Sequence, residues 1–253
     1  MRLLSKLLKT SAGIQSKRIR QKILDNWQIT LHQSPDSNDT AILREIFCDR
    51  IYADYFPFYQ TCTIVDVGAH KGYFSLFAHR NINPNSKIIA LEPSQKNYQE
   101  LIKNLEGNRI ETVIPLNKGV AAKKGQMKLY LIDDKNHSIY PGYGDILHKD
   151  TGGFEEVETL SIADIITEFG LNTIDFLKMD CDGAEYEALL GLDEATCAKI
   201  KTISIEFHDL KDERLNSYHL AGFLQKRNFI IVRHEFLKTV ARVNTGHLVA
   251  VQK

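Results

Sequence analysis

The residues best suited to chemistry stand at the ends of short apolar runs. The first run ends in Val65-Asp66-Val67-Gly68-Ala69-His70-Lys71-Gly72. Two glycines at this spacing permit a tight turn and a close approach of backbone to a ligand before a helix begins. A dinucleotide fingerprint would read Gly-x-Gly-x-x-Gly, but Ala69 and His70 follow Gly68 and the next glycine is Gly72, so a nicotinamide dinucleotide is disfavoured. Asp66 at the strand tip suits a cationic cofactor better than a pyrophosphate. S-adenosylmethionine carries an ammonium and a sulfonium and has no phosphate to cradle. Glu92, in Leu91-Glu92-Pro93, ends the next run, where a carboxylate can accept two hydrogen bonds from a ribose diol. A structural strand-to-helix turn is the alternative; the turn together with the acid favours nucleoside binding.

A second cluster lies further on. Asp180 and Asp182 follow the run Asp175 to Met179 and would face the same way if the strand continued, with Gly183 turning the chain into a helix. The run Thr202 to Phe207 carries Glu206 and then His208, again two apart. Adjacent strand tips would converge these groups on one cleft, and three readings are compatible with them. Asp180 or His208 could remove a proton from an acceptor hydroxyl, since a neutral alcohol is a poor nucleophile. Asp180, Glu206 and His208 could hold a divalent ion, their donors suiting magnesium, manganese or iron better than structural zinc. Or Asp182 caps a helix and the others make structural hydrogen bonds. No metal is assigned at this stage.

These residues need a scaffold that places strand tips side by side. From Thr61 on, short apolar runs (62–67, 87–91, 113–116, 175–179, 202–207, 229–233, 247–251) alternate with helical stretches, clearest at 94–105 and 161–169. Several are apolar at successive positions, as strands buried on both faces must be. Repeated strand-helix-strand units predict an α/β fold with a mostly parallel, doubly wound sheet, which binds ligands beyond the carboxyl ends of its strands. The polar segment Asp133 to Glu158, with Tyr140, Tyr143, His137 and His148, breaks the rhythm and reads as a lid over the ligand.

Residues 1–60 form a predicted N-terminal helical extension, and 61–253 the catalytic domain. Residues 1–24 carry Arg2, Lys6, Lys9, Lys17, Arg18, Arg20 and Lys22 and no acid, with Leu3, Leu4, Leu7 and Leu8 at helical spacing. Such a basic amphipathic helix can dock its stripe on the main domain, the preferred reading, or make peripheral contact with a membrane. Ser34 to Asp39 reads as a loop opening a second helix capped by Thr40 or Asp39, with Ile42, Leu43, Ile46 and Phe47 buried.

The 253 residues hold 32 basic and 32 acidic side chains, a balance that gives no global pull toward nucleic acid. No apolar run is long enough to span a bilayer, and the N-terminus lacks the features of a secretory signal. Cys48, Cys62, Cys181 and Cys197 form no Cys-x-x-Cys pair, which argues against a zinc knuckle or disulfide framework and suits a cytoplasmic location.

The blocks VDVGAHKGYFS, ALEPSQKNYQELIKNL, PLNKGVAAKKGQMKLYL and ETLSIADIITEFGLNTIDFLKMDCDGAEYEALLG, followed by SIEFH, resemble in order and spacing the FkbM-type methyltransferases over roughly residues 40 to 250. The last long block is the most specific; it departs from the family in Met179 for Ile and Asp182 for Glu. The resemblance implies a Rossmann-like class I methyltransferase sheet of seven strands, the last antiparallel. It implies transfer of a methyl group from S-adenosylmethionine to a hydroxyl of a sugar, glycan or secondary metabolite. It places Asp66, Gly68, Ala69 and Gly72 beside the methionine part of the cofactor, Glu92 on the ribose, Leu116 and Asn117 beside the adenine, and Asp180 near the transferable methyl. The rival expectations are a nicotinamide-dependent oxidoreductase and a non-catalytic nucleoside-binding accessory protein.

Overall fold

The computed structural model describes residues 17–33, 36–131, 137–138, 153–210, 212–240 and 243–253. Helices α1 (17–27) and α2 (Ser37–Phe47) lead into strand β1 (Thr63–Val67) and helix α3 (Tyr73–Asn81). Strand β2 (Lys87–Leu91), helix α4 (Gln95–Gly107) and strand β3 (Val113–Leu116) follow. Strands β4 (Gly119–Val120), β5 (Gly125–Leu131), β6 (His137–Ser138) and β7 (Phe154–Leu160) come next, then helix α5 (Ile162–Glu168) and strand β8 (Phe176–Met179). Helices α6 (Glu185–Leu190) and α7 (Glu194–Cys197), strand β9 (Thr202–His208), helix α8 (Ser217–Lys226) and strands β10 (Phe229–Val240) and β11 (Val243–Gln252) complete the chain.

The main sheet has seven strands in the order β10-β11-β9-β8-β1-β2-β3. The pairs from β9 through β3 are parallel, whereas β11 runs antiparallel to both β9 and β10. The chain builds outward from β1 to β3, then returns to lay β8 on the other side of β1, so the switch point lies between β1 and β8. Ligands of open α/β sheets bind there.

Period-2 alternation sends neighbouring side chains of each strand to opposite faces. Val65, Val67, Ile89, Leu91, Leu177 and Met179 pack on one face against α5, α6 and α8. Ile64, Ile88, Ala90 and Phe176 pack on the other with Phe74, Phe77, Leu101 and Leu105. That second core also takes in Ile23, Leu43, Ile46, Phe47, Tyr52 and Phe56 from the N-terminal segment, with Trp27 and Phe47 rings 5.2 Å apart and Phe47 and Phe77 rings 5.8 Å apart. Burying each such side chain contributes about 1.5–3 kcal/mol, which is why α1 and α2 lie on the sheet's helical layer. The leucines at positions 3, 4, 7 and 8 lie outside the described residues.

Four expectations need correction. Helix α2 starts earlier than Thr40 or Asp39. Asp36 caps it, accepting from the Asp39 N–H at 2.9 Å while the Asp39 carboxylate accepts from the Asp36 N–H at 3.0 Å. Strand β8 stops at Met179, and Asp182 has φ 50°, so Asp180 and Asp182 do not share a strand face. The helix that follows has Ala184 as its N-cap, not Asp182. The segment expected to be a lid includes part of a second sheet, ordered β4-β7-β5-β6, in which β5 and β7 pair antiparallel from Gly125↔Thr159 to Tyr130↔Phe154. Its positions 132–136 and 139–152, with Tyr140, Tyr143 and His148, lie outside the described residues. The small core of this sheet (Ala121, Leu129, Val157) packs on Ala184 and Cys181, beside the turn after β8. Among the described residues no helix is long and apolar enough to cross a membrane.

Candidate active site

The turn after β1 is held in a conformation that glycine makes accessible. Gly68 has φ +71°, and a Cβ there would run into the Asp180 carbonyl oxygen on the neighbouring strand tip. Gly72 has φ +84°, and its Cβ would lie 2.5 Å from Leu101 Cδ1. The first glycine thus lets the loop close on β8, and the second lets α3 enter against α4. The loop is pinned to α2 by Lys71, whose Nζ reaches both oxygens of Asp39 at 2.9 Å. His70, at φ 51°, has both ring nitrogens buried and without a hydrogen-bond partner among the described residues. Burial, then the Lys71 charge, lower its pKa to about 4, so it is neutral.

Glu92 stands where expected, at the tip of β2. One carboxylate oxygen accepts from the His70 N–H at 2.8 Å and the other from the Ser94 N–H at 3.0 Å. The Asn97 side chain also hydrogen-bonds this carboxylate, so of its about four acceptor positions one remains for a ribose hydroxyl. Burial pushes this carboxyl up to about 7, against the pull of the Ser94 and His70 N–H groups. Asn117 turns its amide toward the Glu92 and Pro93 carbonyls, both at 2.9 Å, and so braces the Glu92 turn. A cavity lined by Pro93, Gln95, Asn117 and residues 155–158 adjoins it.

Asp66 differs from the expectation of a direct cofactor contact. Its side chain is fully buried beneath the loop, accepting from the Ser75 hydroxyl at 2.7 Å and lying 3.2 Å from Lys178 Nζ. Position 66 alternates inward on β1, which is why the carboxylate turns away from the loop's open side. Lys178 also donates to the Val67 and Gly68 carbonyls at 3.1 and 2.8 Å. Burial works against its charge, yet Asp66 and Asp180 outweigh it and hold the pKa above the usual lysine value. This residue was missed in the sequence; a lysine inside the apolar run Phe-Leu-Lys-Met was its signal.

The second cluster does converge. Asp180, Glu206 and His208 each offer a ligand atom, and these atoms lie within 4.8 Å of one another. Glu185, fully buried at the start of α6, ties the cluster together. One oxygen accepts from the His208 backbone N–H at 2.9 Å and lies 3.1 Å from His208 Nδ1, while the other accepts from the Gly183 N–H at 2.9 Å. Burial disfavours the charged imidazole, but Glu185, then Asp182 and Glu206, push His208 up to about 10. Burial and then the Asp180 carboxylate raise the Glu206 pKa. Tyr52, from the segment before β1, donates its hydroxyl to Asp180 at 3.4 Å. His247 Nε2 lies 3.9 Å from Glu206. Neither Tyr52, Glu185 nor His247 was singled out from the sequence.

The candidate site is therefore a glycine loop and a buried carboxylate at the tips of β1 and β2, adjoining a carboxylate-imidazole cluster at the tips of β8 and β9. Carboxylates outnumber cations, which suits a cofactor bearing positive charge. The described loop residues point no free cation at a pyrophosphate, because Lys178 faces inward and Lys71 is paired with Asp39.

Comparison with known proteins shows the family. The family model of the methyltransferase FkbM domain matches residues 66–231. Methyltransferase sdnD of Sordaria araneosa is 31% identical over 191 residues, covering 65% of this chain and 73% of the relative. The 31-O-demethyl-FK506 methyltransferase FkbM of Streptomyces tacrolimicus is 27% identical over 197 residues, covering 67% and 74%. Among solved structures, methyltransferase FkbM from Methylobacillus flagellatus is 18% identical with a TM-score of 0.47, covering 92% of this chain and 59% of that one.

Proposed function

Because this chain belongs to the FkbM methyltransferase family and is an S-adenosylmethionine-dependent enzyme, we propose that it methylates a hydroxyl group of a sugar, glycan or secondary metabolite. The observation that carries the reading is the adjacency of the two clusters. The Gly68 turn abuts Asp180, so a cofactor in the loop and an acceptor at Asp180, Glu206 and His208 would meet at the switch point between β1 and β8. The name of one relative supports a hydroxyl acceptor: it is a 31-O-demethyl-FK506 methyltransferase.

S-adenosylmethionine, when bound, supplies a methyl group on a positively charged sulfur. The chain's own residues bind and orient. Gly68, Ala69 and Gly72 form the backbone cradle for the methionine part, and Glu92 takes a ribose hydroxyl. Asn117 holds the Glu92 turn in place, and Asp66 acts through Lys178, which fixes the carbonyls of Val67 and Gly68. Asp180 is assigned to take the proton that the acceptor hydroxyl must lose as the new bond forms, and His208, held charged by Glu185, to orient that acceptor. Holding donor and acceptor in line supplies much of the rate. We place the enzyme in a reducing compartment such as the cytoplasm, supported by four free cysteines.

The test is calorimetric titration with S-adenosylmethionine, S-adenosylhomocysteine and NAD, followed by incubation with sugars, glycans and hydroxylated metabolites while S-adenosylhomocysteine release is followed. Binding of the first two, silence for NAD and product with one acceptor class are expected. Binding of NAD alone sinks the reading.

Glu92→Ala should weaken S-adenosylhomocysteine binding by about 1.5–3 kcal/mol, the range for hydrogen bonds to a charged group. Calorimetry showing unchanged affinity would remove Glu92 from the ribose. The raised pKa adds a pH signature. A carboxyl whose folded value exceeds its unfolded one favours the protonated folded state, so ligand-free stability falls as pH rises from about 4.5 through about 7. Cofactor affinity, which needs the carboxylate, should rise over the upper part of the same interval. Glu92→Gln should flatten both trends, as measured by thermal melts and calorimetry across pH.

A further inference from the structure

We propose that Asp180, Glu206, His208 and His247 form a binding site for one first-row divalent transition-metal ion of the manganese or iron kind, which holds the acceptor through neighbouring hydroxyl oxygens. The acceptor role rests on the methyltransferase reading; the ion site stands on geometry alone.

The argument starts from His247. It is fully buried, and both its ring nitrogens lack a hydrogen-bond partner among the described residues. Leaving such a group unsatisfied costs about 1–3 kcal/mol, so its position calls for a ligand. The antiparallel register of β11 on β9 sets His247 opposite Glu206, and Nε2 lies 3.9 Å from Glu206 Oε2. Glu206 in turn belongs to the trio of donor atoms within 4.8 Å of one another. Two atoms bonded to one ion at about 2.1 Å lie about 3 Å apart when adjacent and about 4.2 Å apart when opposite. A closure of less than about 1 Å would thus bring the Asp180, Glu206 and His208 donors into one coordination sphere, with His247 beside Glu206 at 3.9 Å.

The surroundings are arranged as metal ligands require. Glu185 lies 3.1 Å from His208 Nδ1, so an ion would engage Nε2 by displacing its proton and its pairing with Asp182 at 3.7 Å, and Tyr52 donates to Asp180. Carboxylates behind ligating histidines fix tautomer and ring orientation in this way. Ion pairing among Asp182, Glu185 and His208 accounts for those three groups but leaves His247 unmet. Two imidazoles beside two carboxylates favour manganese or iron over magnesium or calcium, which prefer oxygen alone. Four protein donors leave two positions of an octahedron, which matches a pair of adjacent hydroxyls on a sugar-like acceptor. A coordinated hydroxyl is also made more acidic, which is the activation that methyl transfer needs.

The experiment titrates the full chain, freed of metal with a chelator, with manganese while the spectrum of free aqueous ion is followed by electron paramagnetic resonance. One ion per chain with micromolar affinity is expected. His247→Gln and Glu206→Gln should each weaken binding at least about tenfold, with S-adenosylhomocysteine affinity unchanged by calorimetry. Glu206, with 20% of its side chain exposed, keeps the test open if His247→Gln folds poorly. No binding at millimolar manganese, or binding indifferent to both variants, overturns the site. Manganese silence with intact S-adenosylhomocysteine binding would sink the ion and leave the methyltransferase standing. Manganese binding without S-adenosylhomocysteine binding would do the reverse.

Discussion

Lys178→Met should destabilise the protein by about 3–5 kcal/mol, the cost of stripping one partner from a buried ion pair. Lys178 is 3% exposed and Asp66 0%, so water cannot take over the lost contact. Asp66 would keep the Ser75 hydroxyl but lose the ammonium 3.2 Å away, and the carbonyls of Val67 and Gly68 would lose their donor. For a chain of this length the loss corresponds to a fall in melting temperature on the order of 10 °C. Cofactor affinity should fall too, because the loop carbonyls that Lys178 fixes are part of the cradle. The double variant Asp66→Leu/Lys178→Met should recover most of the stability, since a buried pair replaced by apolar groups is often neutral. Melts of the two variants decide the matter. A single variant as stable as the parent would mean that the pair contributes little, and an unrecovered double variant would shift the weight to the backbone carbonyls.

The second large effect belongs to Asp180. Asp180→Asn keeps the shape of the side chain and its carbonyl contact with the Gly68 turn, but removes the negative charge beside Glu206 and His208. Turnover should drop by about 10²- to 10⁴-fold, the usual contribution of a positioned acid or base. S-adenosylhomocysteine affinity should stay within a few fold, because Glu92 and the glycine loop are untouched. Single-turnover transfer to the acceptor that the parent methylates, alongside calorimetry, separates the two quantities. Preserved turnover would move the handling of the acceptor hydroxyl to another residue. Joint loss of turnover and cofactor affinity would instead indicate that the β1 loop had collapsed.

The sequence by itself determined the parts of this protein whose physics is local. Strands β1, β2 and β8 are nearly continuous apolar runs because both their faces are covered, and these and the edge strand β3 were each read to within a residue. Helix α5 was read as the stretch 161–169, and in the structure Ser161 and Asp164 form the capping box at its start. Gly68, Gly72, Glu92, Asp180, Glu206 and His208 were legible because a strand's tip, and the turn chemistry that follows it, are written in consecutive residues.

The tertiary structure decided the rest. The second sheet escaped notice because β5 and β7 bury only alternate residues, and glutamates and lysines on the open face mask the pattern. Asp66 was assigned to the cofactor from its place at a tip, but whether it faces the loop or the interior depends on the lysine that β8 brings alongside. Tyr52 reaches Asp180 only because the N-terminal segment folds back onto the core, and His247 meets Glu206 only through the register of an antiparallel strand. Side-chain direction along one strand follows from a period of two, whereas which strands become neighbours depends on how the whole sheet is ordered. A site assembled from β1, β2, β8, β9 and β11 could therefore be listed piece by piece from the chain, but only the fold could say which pieces touch.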